Sequence, residues 1–352
     1  MSRVLIIGGT VFVGPSVVRE LVSGGHEVAV LHRGEHETDL PASVRHIHGD
    51  RARIVDHRDA FRSFDPDTVV DMRSMTEKDA RGVIGAVSGS AERLVTVSSM
   101  DVYRAYGRAH GTEPGPPVPT PFDEDSPLRE RLFPYRDDTP PSIGERPAWL
   151  GEYDKILVER TVLGATDVSG TIVRFPMVHG ERDEQRRFYW LWKRMIDHRA
   201  AIVMTAKAAA FRSSRTHVDN AAHAVALAVT NDAARGRIYN VGDPDTLPWI
   251  EWARLVASHL RWPGELLVAP SEQMPTALRD RRPDMWDHHL IVETSRIRQE
   301  LGYEELVGRA EGLQRALDWY SHSPPADPAA AAGLDYRTED EAIVTIRGSA
   351  VL

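Results

Sequence analysis

The sequence predicts an α/β fold, a doubly wound parallel sheet with a smaller C-terminal substrate-binding lobe. Three observations carry this. Short apolar runs recur through the first third of the chain, segments of helical periodicity separate them, and a glycine-rich turn joins the first run to the first helix. Strands buried on both faces read as continuous apolar runs, and their alternation with helices is the pattern of a parallel sheet covered on both sides.

The elements follow in order. Val4 to Ile7 is the first strand; the run is too short, and too quickly ended by Gly8-Gly9, to be the apolar region of a signal peptide. Pro15 to Ser23 repeats with helical period, Val17, Val18, Leu21 and Val22 forming its buried side, and Gly24-Gly25 ends it. Glu27 to Leu31, Val44 to His48, Thr68 to Met72 and Leu94 to Val97 read as the next strands. Residues 104–149 break the rhythm: they are rich in Pro, Gly and charge, include Glu113 to Pro117 and Pro140-Pro141, and lack periodicity. So long a stretch inside a compact domain is either a surface excursion or a wall over a substrate cleft. Gly151 to Leu163 resumes as a helix and Gly170 to Phe175 as a strand. Arg187 to Ile196, with its aromatic stripe, reads as a core helix; Asp219 to Val229 and Trp249 to Leu260 read as helices and Arg237 to Val241 as a strand. From Ser323 the chain turns to Pro and Ala, as a linker to a tail in which Ala342 to Ile346 forms a late edge strand. The expected organisation is a nucleotide-binding domain over 1–175, mainly a substrate lobe with returning sheet elements over 176–322, and a linker and tail over 323–352.

Composition narrows the function. The 352 residues carry 43 basic and 52 acidic side chains, a formal net charge of −9, without the overall basic excess expected of a nucleic-acid partner. No stretch approaches the ~20 apolar residues of a membrane span. There is no Cys, which excludes disulfides, thiolate metal sites and a Cys nucleophile and fits a reducing, cytoplasmic setting. His26, His32, His36, His46 and His48 cluster in sequence but fall on different strands and loops. With no His-Glu-x-x-His motif or ligand-spaced carboxylate cluster, no metal is expected. A Gly-x-Ser-x-Gly nucleophile elbow is also missing.

The turn Gly8-Gly9-Thr10-Val11-Phe12-Val13-Gly14 sits between the first strand and the first helix. Gly8 and Gly9 allow a tight turn and close approach to a pyrophosphate, Gly14 lets the helix pack on the strand, and the helix N-terminus supplies unpaired N–H groups. This is the arrangement of a Rossmann-type dinucleotide site, with Thr10, Phe12 and Val13 completing it. The second strand ends in Leu31-His32-Arg33-Gly34, with a cation and no carboxylate. A carboxylate there would bind the ribose of NAD, whereas Arg33 suits the 2′-phosphate of NADP, so NADP(H) is favoured over NAD(H).

Beyond this turn the chain resembles the extended short-chain dehydrogenase/reductase (epimerase/dehydratase) family. Phe12-Val13-Gly14 is similar to the family's Phe-Ile-Gly, although Val11 stands where many relatives carry glycine. Gly49-Asp50-Arg51 resembles the segment whose Asp meets the adenine, and Asp71-Met72-Arg73-Ser74 the one that lines the cofactor ribose. Val97-Ser98-Ser99-Met100-Asp101-Val102-Tyr103 looks like Ser-Ser-x-x-Val-Tyr, and Ile172 to Gly180, containing Phe175 and Pro176, resembles the strand and loop beside the nicotinamide. His217 to Asn220, Tyr239 to Gly242 and Glu300 to Tyr303 also match, so the resemblance covers roughly residues 1–322.

The resemblance implies a Ser that bonds the reacting oxygen, a Tyr that exchanges the proton, and a Lys one helical turn later that lowers the Tyr pKa and holds the nicotinamide ribose. Ser99 and Lys155 match the first and last, Lys155 to Glu159 reproducing Lys-x-x-x-Glu. The Tyr position is Gly151, which has no side chain. Tyr153 is the candidate to handle the proton; it is only two residues before Lys155, which on a continuous helix puts the two on roughly opposite faces, so it serves only if the helix starts late or is distorted there. Tyr103, His179 and His217 are further titratable candidates. The implied function is an NAD(P)-dependent oxidoreductase or epimerase acting on a secondary alcohol or ketone of a sugar, nucleotide sugar or natural-product intermediate. A non-redox lyase or isomerase on the same scaffold is the alternative that the missing Tyr favours, and an RNA-binding descendant of the fold is opposed by the acidic charge. A homodimer is a family-based expectation.

Overall fold

The computed structural model describes residues 1–35, 40–137, 147–280 and 282–349; His36 and Pro140-Pro141 lie outside the described residues. Seven strands form one sheet: β1 (Arg3–Ile7), β2 (Glu27–His32), β3 (Arg45–His48), β4 (Thr68–Asp71), β5 (Arg93–Ser99), β6 (Ser169–Phe175) and, after three strands outside it, β10 (Ile238–Asn240). Their order is β10-β6-β5-β4-β1-β2-β3, and every pairing is parallel. From β1 the chain builds to one side through β2 and β3, then returns to lay β4 on the other side of β1. The crevice above the carboxyl ends of β1 and β4 is therefore the topological switch point, where such sheets bind ligands.

Both faces of the sheet are dry. Val4 and Ile6 of β1 pack with Val17, Val18 and Leu21 of the helix Val13–Ser23 and with Ala221 and Val225 of the helix Val218–Thr230. The intervening Leu5 and Ile7 pack on the opposite side with Phe61, Val83, Val158 and Val162. Alternate residues of one apolar strand thus serve two cores, as expected for a strand covered on both faces.

The second lobe has its own core. The aromatic stripe of the helix Tyr189–Ile196 is core packing, as expected: Tyr189, Leu191, Trp192 and Met195 pack with Trp252, Val256, Leu317 and Tyr320. Two small parallel sheets complete the lobe, β7 (Met177–His179) with β9 (Arg215–His217) and β8 (Ala201–Thr205) with β11 (Glu265–Ala269). Among the described residues no helix is long and apolar enough to cross a membrane.

Three expectations need correction. The stretch after Tyr103 is not wholly irregular, because Arg104–Ala109 is helical. The helix expected from Gly151 begins at Lys155, where the Asp154 carboxylate caps it by accepting from Ile156 N; Ala148–Glu152 is a separate 3-10 turn. The edge strand expected at 342–346 is part of a helix, Tyr336–Ser349. Its β-branched residues favour a strand locally, but Ala342 and Ile346 are one helical turn apart and pack together on Ala269 and Met274. Glu339 of the same helix meets Arg194 in a buried ion pair at 2.6 Å.

Candidate active site

The glycine turn is built by close contact. Gly8 has φ +89°, in the left-handed region that favours glycine, and a Cβ on Gly14 would lie 2.6 Å from the Gly9 carbonyl carbon. Phe12, at the helix N-cap, makes no side-chain capping bond, and no acidic residue occupies the first turn. Phe12 thus leaves the first N–H groups of that helix uncapped by its own side chain, which suits a pyrophosphate site. Thr10 and Val13 are buried in the turn. Met72 and Arg73, after β4, face it: their Cβ atoms lie 3.7 Å from where a Gly8 Cβ would stand. The cradle fits a dinucleotide.

Arg33 is half-exposed at the end of β2 and paired with Glu35 at 2.7 Å. Asp50 caps the short 3-10 segment that follows it by accepting from Ala52 N at 2.8 Å. Arg51 reaches across to Asp71 at 3.1 Å and to Ser74 Oγ at 3.1 Å. Burial alone would raise the Asp71 pKa; Arg51, the Ser74 hydroxyl and Arg73 N–H together hold it below the usual carboxylate value. This web fixes the segment after β4. The histidines at the outer edge are less dispersed than expected, because β2 and β3 are neighbours: His32 Nε2 lies 2.7 Å from His46 Nδ1, and the His32 and His48 rings are 4.9 Å apart. Among the described residues no group of His, Cys, Asp or Glu is arranged to hold a metal ion.

The catalytic candidates gather beyond the carboxyl end of β5. Ser99 Oγ accepts from Asp101 N at 3.2 Å, which leaves its own hydroxyl proton to donate. Lys155 is buried, and its ammonium donates to Ser74 O at 2.6 Å and Val97 O at 3.1 Å. Burial pushes its pKa down, against the pull of Asp71 and Asp101. Phe175 pairs with Ser99 across β5 and β6, so Phe175 and Pro176 stand beside this point.

Tyr153 also reaches the site. Because the helix starts late, Tyr153 is extended (φ −62°, ψ 121°) and not bound to helical periodicity. Its hydroxyl donates to Asp101 Oδ2 at 2.5 Å. Tyr135 packs on the Tyr153 ring at 5.3 Å, and burial, with the charge of the same carboxylate, pushes its phenol pKa up. Burial raises the Asp101 pKa, opposed by Arg129, Tyr153 and Lys155. Burial and the charge of Asp101 push Tyr153 well above its usual value. The phenol is thus a neutral donor to a basic carboxylate, the reverse of a phenol made acidic by a lysine. Sequence reasoning missed Asp101 and Tyr135 as members of this group; an acidic residue two positions after Ser99 was a signal for the first, and nothing local marks the second.

The other candidates are engaged elsewhere. The Tyr103 hydroxyl donates to Asn240 Oδ1 at 2.7 Å and accepts from Arg174, whose guanidinium forms a buried pair with Glu159. His217 caps the helix Val218–Thr230 and lies 3.3 Å from Glu181. His179 packs against His217, Phe188 and Trp252, and burial draws its pKa well down. The stretch after Tyr103 forms a wall against the site: Arg129 donates through Nε to Asp101 O at 2.5 Å and lies 3.5 Å from Asp154, while Phe133 N donates to Asp154 Oδ2 at 2.6 Å.

Comparison with known proteins agrees with the fold. Residues 4–135 match the model of the NAD dependent epimerase/dehydratase family. The chain is similar to 2′-dehydrokanamycin reductase of Streptomyces kanamyceticus, 30% identical over 84% of this chain and 75% of that protein. It is also similar to a 3 beta-hydroxysteroid dehydrogenase/Delta 5-->4-isomerase of Mycobacterium tuberculosis, 24% identical over 91% and 90% of the two chains. Its fold resembles that of a dTDP-glucose 4,6-dehydratase from Streptomyces venezuelae solved with NAD bound, with TM-score 0.65, 21% identity and coverage of 91% and 97%.

Proposed function

The chain belongs to the NAD dependent epimerase/dehydratase family, and from that premise we propose that it is an NADP(H)-preferring oxidoreductase of a secondary alcohol or ketone on a sugar or natural-product intermediate. The observation that carries this reading is the meeting of Ser99, Lys155 and the Tyr153–Asp101 pair beside the glycine cradle. Gly8, Gly9 and Gly14 would hold the pyrophosphate and Lys155 the nicotinamide ribose. The exposed Arg33–Glu35 pair contributes little, so Arg33 is able to leave it for a 2′-phosphate. When bound, the cofactor supplies or accepts the hydride.

The chain's own residues handle the proton. Ser99 donates to the reacting oxygen. In the oxidation direction Tyr153 takes the substrate hydroxyl proton as it passes its own to Asp101 Oδ2, and reduction reverses both transfers. The basic character that burial confers on Asp101 suits it to this exchange. Tyr153 and Asp101 together thus replace the phenol missing at Gly151.

The same basic carboxylate favours a second reading, proton abstraction in a non-redox lyase or isomerase. One experiment separates the two: incubate the protein with NADPH and a panel of keto sugars, following nicotinamide absorbance and product formation together. Absorbance loss matched to alcohol formed supports the oxidoreductase; product without net absorbance change supports the second reading; no binding of any nicotinamide form rejects the first.

A further inference from the structure

Arg215 opens β9, and its side chain is buried in the second lobe. Three aromatic rings box it: the guanidinium carbon lies 4.2 Å from the centroid of Trp249, 5.3 Å from Phe188 and 5.6 Å from Trp252. Nε and Nη1 have neither solvent nor a hydrogen-bond acceptor. The nearby acids are committed to other cations, Asp183 to Arg187 at 2.7 Å and Asp243 to Arg309 at 3.7 Å. Trp252 Nε1 is also buried without a hydrogen-bond partner, and the Arg309 guanidinium, whose Nε lies 3.7 Å from Asp243, is 5.8 Å from the same Trp252 ring. Arg215 Nε and Nη1 and Trp252 Nε1 are therefore buried side by side without a hydrogen-bond acceptor, and the Asp243 carboxylate near them is drawn to Arg309.

A buried cation without an acceptor is costly, and burial, with Arg187 beside it, draws the Arg215 pKa down to about 9. The aromatic faces offset part of that cost but accept no hydrogen bond in the guanidinium plane. Arg215 also lies close to the chemistry. It pairs across β7 and β9 with Met177, two residues after Phe175, which itself pairs with Ser99.

We propose that Arg215 is the receptor for an oxyanion, a carboxylate or a phosphate, carried by the substrate whose carbinol carbon sits at Ser99 and Tyr153. This rests on the oxidoreductase reading and adds a substrate class to it. Arg215 grips the anion through its plane, Trp252 Nε1 and Arg309 add donors, and Trp249 and Phe188 shield the contact from water.

Trp249, in contact with the cation, is a built-in reporter. The full-length protein is titrated with glucuronate, glucose 1-phosphate, inorganic phosphate and glucose while tryptophan fluorescence is followed, and NADPH is titrated separately. Glucuronate or glucose 1-phosphate should give a saturable change that glucose does not. The carboxylate and phosphate arms show which oxyanion is held, and a response to inorganic phosphate shows that the phosphate alone suffices. Arg215→Met should weaken that binding by about tenfold or more, leave NADPH affinity unchanged, and melt at the same or a higher temperature, because an unpaired buried charge has become an apolar side chain. Arg215→Lys keeps the charge without the planar edge and should bind the anion more weakly than the native protein. A response to glucose equal to that of the anions, or a lower melting temperature of Arg215→Met with anion binding intact, overturns the proposal and makes Arg215 a structural element. Failure of NADPH binding in the native protein rejects the oxidoreductase reading and leaves the anion titration to stand alone.

Discussion

The Tyr153 hydroxyl donates to Asp101 Oδ2 at 2.5 Å although the two residues are 52 positions apart. The contact exists because Asp154 delays the start of the following helix, leaving Tyr153 extended.

Asp101→Asn keeps the shape and removes the base. Activity in the oxidation direction should fall by about 10²–10⁴-fold, the usual worth of a positioned acid or base, while NADPH binding persists. Steady-state rates beside a cofactor titration check this.

The same residue ties stability to pH. Because folding raises the Asp101 pKa, its contribution is fully present below the ordinary carboxylate pKa and is lost as pH rises through the raised value. Oxidation activity should move oppositely, rising as Asp101 ionises. Urea unfolding across pH should show a decline in the native protein that Asp101→Asn lacks.

Gly14→Val should abolish nucleotide binding. Its Cβ would stand 2.6 Å from the Gly9 carbonyl carbon, so the turn must move, at an overpacking cost of about 1–3 kcal/mol. NADPH fluorescence titration and thermal melting measure the two effects.

Arg33→Ala should lower NADPH affinity roughly 10- to 100-fold, the worth of charge-assisted bonds to a phosphate, and leave NADH affinity nearly unchanged. Equal losses for both would remove the basis for the NADP(H) preference.

Glu159→Ala should destabilise by about 3–5 kcal/mol, because it strands the buried Arg174, which also holds the Tyr103 hydroxyl. Denaturant unfolding tests it.

Much of the sheet was legible, because apolar strands and the glycine turn act through neighbours in sequence. Val4 to Ile7 and the helix that buries Val17, Val18 and Leu21 needed only periodicity and a glycine-rich boundary. The start of the helix that carries Lys155 was misplaced because helical periodicity was extended through residues that precede it, although Asp154 before an apolar run is a capping signal. The tail was misread because the β-branched residues of 343–346 describe local preference, whereas Glu339 and Ala342 follow partners far away, Arg194 among them. Arg129 and Arg215 carry no local signal, since what marks them is a carbonyl or an aromatic ring brought near by the fold.

Arg129 joins the wall at once to the Asp101 carbonyl and to the carboxylate that starts the helix of Lys155. Wall and proposed proton machinery are therefore joined through one side chain. Selectivity in such an arrangement is a matter of casting, not of articulation: a new substrate is admitted by recutting the side chains that face it, and loosening the joint at Arg129 would spoil the aim of Asp101 before it widened the choice.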